Sequence, residues 1–88
     1  MYVHLGESTV INGEDIIGIF DLDNTTVMKS TREYLKNATR NKKVINVSYE
    51  LPKSFTVTAK DDYSVYISLL NVQTIARRIR NFKNKENL

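Results

Sequence analysis

The sequence predicts a small single-domain α+β fold with a mainly antiparallel sheet, one long helix after the N-terminal strands and a second helix at the C-terminus. Three observations lead to this. Several short runs alternate with period two, and only two long runs repeat with the helical period of about 3.6. The connections between the later strands are too short for crossover helices. With 88 residues there is room for one core.

Taken in order, Tyr2 to Leu5 alternates and reads as a strand with Val3 and Leu5 on one face, closed by the turn Gly6-Glu7-Ser8. Thr9-Val10-Ile11 opens a second strand that breaks at Asn12-Gly13. Ile16 to Phe20 forms a third; strict alternation puts Ile17 and Ile19 on one face and Ile16 and Phe20 on the other. A strand apolar on both faces needs cover in so small a domain, so Ile16 and Phe20 are expected at a subunit interface.

Asn24, Thr25 and Thr26 are candidate N-caps for a helix reaching about Arg40, because a side-chain oxygen there accepts an otherwise unpaired N–H of the first turn. At about 100° per residue, Val27, Met28, Thr31, Tyr34, Leu35 and Ala38 fall on one face. Lys29, Arg32, Lys36 and Arg40 fall on roughly the opposite one. Val44 to Tyr49, Ser54 to Lys60 and Tyr63 to Leu69 read as three more strands. Pro52, which has no N–H to donate, marks a connection, and Asp61-Asp62 a tight hairpin turn. Phe55, Val57 and Ala59 share one face, as do Val65, Ile67 and Leu69. Asn71 caps a second helix whose apolar stripe is Val72, Ile75, Ala76, Ile79 and Phe82, with Arg77, Arg78, Arg80 and Lys85 elsewhere around it. Residues 1–83 form the domain, and 84–88 are a polar tail expected to fray.

Such a chain buries only about 60–65% of its unfolded surface, so it is marginal alone. Cysteine is absent and His4 is the lone histidine, which leaves neither a disulfide nor a structural zinc as remedy. Oligomerisation remains. No apolar run approaches the roughly 20 residues of a membrane span, and Met1-Tyr2-Val3-His4 lacks a signal-peptide pattern, so the expectation is a cytoplasmic protein. The net charge of +3 is unevenly distributed: residues 1 to 24 carry five acidic and no basic residues, while residues 25 to 88 carry 13 basic and five acidic ones. A two-sided charge of this kind suits attraction to polyanions or head-to-tail pairing of copies.

Gly18-Ile19-Phe20-Asp21-Leu22-Asp23-Asn24-Thr25 is similar to the first motif of haloacid-dehalogenase-type phosphatases, an apolar strand ending in Asp-x-Asp-x-Thr. That chemistry also requires magnesium, a partly buried lysine and a second acidic pair at one end of a parallel sheet. The short connections here contradict such a sheet, and the motif reads as a strand end followed by a helix cap. His4 lacks the Cys, Ser or second His of a catalytic or metal set, and no glycine-rich phosphate loop is present. No catalytic residue, metal, cofactor or small-molecule substrate is expected. Tyr63 and Tyr66 read as sheet packing before base stacking.

Met1-Tyr2-Val3-His4-Leu5-Gly6, Asp21-Leu22-Asp23-Asn24-Thr25-Thr26, Ser30-Thr31-Arg32-Glu33, Glu50-Leu51-Pro52-Lys53-Ser54-Phe55 and Val65-Tyr66-Ile67-Ser68 together resemble the RemB branch of the RemA/RemB family of bacterial extracellular-matrix (biofilm) regulators. The resemblance covers residues 1 to about 80. It implies a non-enzymatic regulator; RemA-type members bind DNA upstream of matrix operons, activate transcription and assemble into closed rings. Those members carry an arginine cluster after the aromatic corresponding to Tyr49 and another arginine before the paired isoleucines. Here the first place reads Glu50-Leu51-Pro52-Lys53 and the second is Asp15.

The leading expectation is therefore a ring-forming, DNA-associated regulator of matrix genes that contacts the backbone of double-stranded DNA. The residues expected to do so are Lys29, Arg32, Lys36, Arg40, Lys53, Arg77 and Arg78. The alternative is a self-assembling interaction protein that does not touch DNA and modulates a RemA-type relative through mixed oligomers.

Overall fold

The computed structural model describes residues 1–22, 29–47 and 52–86, with backbone alone at 29 and 82–86. Along the chain run β1 (Tyr2–Gly6), β2 (Thr9–Asn12), a 3-10 turn (Gly13–Asp15), β3 (Ile16–Asp21), α1 (Lys29–Arg40), β4 (Val44–Asn46), β5 (Ser54–Thr58), β6 (Val65–Ser68) and α2 (Val72–Glu86). The predicted α+β class is the observed one. The candidate caps Asn24, Thr25 and Thr26, the apolar pair Val27 and Met28, and residues 48–51 lie outside the described residues.

β1 and β2 form an antiparallel hairpin of their own. Gly6 turns it at φ +117°, a backbone conformation that side chains disfavour, and Glu7 follows at φ 50°. The other four strands make one sheet in the order β3-β5-β6-β4, antiparallel except that the edge strand β4 runs parallel to β6. α1 is what makes the parallel pair reachable. β3 delivers the chain to one end of the sheet, and a helix of 12 residues, about 18 Å long, returns it to the other.

Two small cores follow from this layering. On one face of the sheet the hairpin and α2 enclose Val3, Leu5, Ile11, Val47, Tyr66 and Ile75, with Ile16, Ile19 and Ile79 packed against them. On the other face Leu35 and Ala38 of α1, with Leu22 and Val44, cover Phe55, Val57, Val65 and Ile67. β5 lies between both layers and is buried along its whole length. Its Ser-Phe-Thr-Val-Thr alternation places Phe55 and Val57 toward α1, and Ser54, Thr56 and Thr58 toward the hairpin. The hydroxyls there join layers: Ser68 Oγ donates to the Leu5 carbonyl at 2.6 Å and accepts from the Leu70 N–H at 3.1 Å, and Ser54 Oγ donates to the Leu70 carbonyl at 2.6 Å.

Two expectations are corrected. A bulge between Ile16 and Gly18 adds one residue to β3, so that Ile16 opposes Thr58, Gly18 opposes Val57, Ile19 opposes Thr56 and Phe20 opposes Phe55. Ile16 and Ile19 consequently share the hairpin side, and Ile17 joins Phe20 on the α1 side, which reverses the pairing expected from strict alternation. The β5–β6 connection is also longer than a two-residue turn, with Asp61, Asp62 and Tyr63 all at positive φ (50°, 62° and 71°), which leaves Ala59 in the loop instead of on the strand. α2 runs over Val72–Glu86.

Candidate nucleic-acid interface

α1 is amphipathic because its apolar residues recur every three or four positions. Leu35 and Ala38 face the sheet and Thr31 is half-buried beside them, which turns Arg32, Lys36 and Arg40 outward. All three are exposed, and among the described residues none is joined to a carboxylate or a hydrogen-bond acceptor. Four residues of helix advance about 6 Å, so these cations form a ladder along one flank of the helix. Lys29 is the first residue of α1, and its side chain lies outside the described residues.

Lys53 is exposed just before β5. Its backbone is held on both sides, the N–H donating to the Ser68 carbonyl at 2.9 Å and its carbonyl accepting from the Leu22 N–H at 3.0 Å. It thus stands at the end of the sheet where β3 finishes. Arg77 and Arg78 are exposed on α2, and α2 packs on the opposite face of the sheet from α1. The Arg78 guanidinium donates to the His4 carbonyl at 2.5 Å and ties α2 to the hairpin. The seven basic residues singled out by sequence are therefore not one patch: α1 carries Arg32, Lys36 and Arg40 on one side of the molecule, and Arg77 and Arg78 lie on the other.

Other candidate chemistry is dispersed. Asp21 pairs in register with Ser54 at one end of β5, whereas Asp61 and Asp62 follow its other end, so the two acidic stretches flank the strand instead of meeting. β3 is antiparallel to β5, unlike the parallel sheet that the phosphatase motif requires, and Asp23 lies outside the described residues. Among the described residues, no group of three or more His, Asp or Glu could hold a metal. His4 Nε2 is bonded to the Glu7 carbonyl at 2.7 Å, and Tyr66 is buried in the hairpin-side core, which leaves Tyr63 as the exposed member of the tyrosine pair. No described helix is long and apolar enough to cross a membrane.

A feature missed by periodicity is an open apolar groove of about 300 Å³ between β3 and α1, lined by Ile17, Phe20, Thr31, Tyr34, Phe55 and Val57. Phe20 stacks on Phe55 with centroids 5.0 Å apart. A Cβ at residue 18 would lie 2.7 Å from the Phe20 ring, so glycine there allows the ring to fold back over the strand. An isolated glycine inside a strand is a recognised bulge signal, and Gly18 was the residue that could have revealed the re-phasing.

Two comparisons bear on this arrangement. A family model described as RemA-like, Extracellular matrix regulatory protein A-like, matches residues 2–79, from β1 to the last core isoleucine of α2. The chain is also 35% identical over 78 residues to Extracellular matrix regulatory protein B of Bacillus subtilis (strain 168), an alignment covering 89% of each protein.

Proposed function

The chain belongs to the RemA-like family of extracellular matrix regulatory proteins, and from that premise we propose that it is a non-enzymatic regulator of matrix genes that assembles with its own copies into a ring and binds the DNA backbone. The observation that carries the DNA part is the ladder of Arg32, Lys36 and Arg40 on α1, held outward by the packing of Leu35 and Ala38 and not neutralised by any described carboxylate. Cations spaced about 6 Å apart on a rigid helix can meet successive phosphates, and the helix carries no array of amide side chains for reading base edges. Lys53 is exposed at the end of the sheet, and Arg77 and Arg78, on the opposite face from α1, would reach DNA only through another subunit.

Titration of duplex DNA at two salt concentrations tests this. Binding must weaken steeply with salt, and replacing Arg32, Lys36 and Arg40 with glutamine should reduce the slope of log K against log salt by about 3, since each phosphate contact contributes about 0.9. The same positions changed to glutamate should abolish binding. Absence of binding at low salt would favour the second reading, a self-assembling protein that acts through a RemA-type relative. That reading draws on Asp15 and on Glu50-Leu51-Pro52-Lys53, where Lys53 is the sole cation.

A further inference from the structure

Five of the seven exposed large apolar side chains among the described residues gather in two places on opposite faces of the sheet, while Ile45 and Tyr63 lie outside both. On the α1 side, Ile17 (58% exposed) and Phe20 (41%) line the groove together with Tyr34. On the other side, the outward face of the β1–β2 hairpin presents Tyr2 (72%) and Val10 (54%), whose neighbours Val3, Leu5 and Ile11 point inward to the core. Val10 lies opposite His4 and Tyr2 opposite Asn12, so the knob is a twisted two-stranded ribbon with Glu7 beyond one end and Glu14 beyond the other.

We propose that the hairpin knob of one copy, Tyr2 and Val10, docks into the Ile17–Phe20–Tyr34 groove of the next, a head-to-tail contact between identical chains. Three features select a second copy as occupant. The groove is concave, aromatic-floored and apolar, and the chain itself carries a protruding apolar ribbon that its own fold leaves uncovered. The side-chain charges of the two sides are opposite: residues 1 to 15 hold Glu7, Glu14 and Asp15 with no Lys or Arg, giving −3, although the Met1 ammonium lies 4.0 Å from Glu14, whereas 29 to 40 hold Lys29, Arg32, Lys36 and Arg40 against Glu33, giving +3. Complementary potentials steer two copies into this orientation and oppose knob-to-knob or groove-to-groove encounters. Open-edge pairing is also disfavoured, because β3 is bulged and β4 is only three residues long between Lys43 and Val47.

Because knob and groove are on opposite faces, each copy engages two neighbours through different surfaces, and the contact repeats until it closes. α1 contributes Ser30, Thr31 and Tyr34 to the groove, and Arg32, Lys36 and Arg40 are not among its lining residues. This assignment rests on the self-assembly part of the proposed function, and the experiment separates the two.

Sedimentation velocity is run on the full-length protein, on Ile17→Glu, on Val10→Glu and on an equimolar mixture of the two variants, with circular dichroism melts confirming that each is folded. Each variant alone should be a monomer of 10.2 kDa, because one of its two surfaces is disabled. The mixture retains one competent knob and one competent groove, and should form a dimer and nothing larger. Unchanged assembly in both single variants would overturn the surface assignment while leaving self-assembly intact and the groove open to a different partner. Monomeric variants that fail to combine would overturn the head-to-tail geometry. A monomeric unmodified protein would overturn the assembly reading itself, and this assignment with it.

Discussion

Thr56 shows how tightly the central strand is constrained. It is fully buried, and its Oγ1 has no hydrogen-bond partner among the described residues, unlike the hydroxyls of Ser54, Thr58, Ser64 and Ser68, each of which donates to a carbonyl. An unsatisfied buried hydroxyl costs about 1–3 kcal/mol, and valine has nearly the same shape without that group. Thr56→Val should therefore stabilise the domain by about 1 kcal/mol, read as a higher urea midpoint at unchanged slope. A lower midpoint would mean that the hydroxyl is satisfied, for example by an internal water. Ile17 is the other decisive residue: as the extra residue of a bulge it occupies a position that alternation assigns to the opposite face.

At the scale of elements, helix capping and amphipathicity were readable directly. Asn71 Oδ1 accepts from the Thr74 N–H at 2.8 Å and from the Thr74 hydroxyl at 2.9 Å, the geometry expected of an N-cap. Asn71→Ala should destabilise the domain by about 1 kcal/mol, while Asn71→Asp should retain most of the stability; equal losses in thermal melts would refute the capping role. The outward cations of α1 were equally legible, since a helical period is a local property. β5 was not. Its polar–apolar alternation resembles a half-solvated strand, yet the hairpin and α2 close over the hydroxyl side and bury all five residues.

For the whole molecule, the consequence of 88 residues and two separate small cores is limited stability on its own. If the apolar groove and hairpin knob are covered by other copies, association stabilises the native state and the melting temperature becomes concentration-dependent. Calorimetry over a hundredfold dilution should show the transition falling by several degrees as subunits separate. A transition independent of concentration across that range would be incompatible with assembly as the missing source of stability. The same scale governs the DNA surface: two basic helices on opposite faces cannot contact one straight duplex from a single subunit.

By itself the sequence determined the α+β class, the elements and their order, the Asn71 cap, the line of cations along α1 and the resemblance to a family that the comparisons then established. These depend on neighbours three or four residues apart, whose spacing is set by the backbone. The tertiary structure alone decided that β4 joins β6 in parallel, that Ile17 replaces Ile16 beside Phe20, and that the basic residues divide between two faces. Strand register and layer order arise from contacts between segments distant in the chain, and one inserted residue shifts every side chain beyond it without altering the local composition.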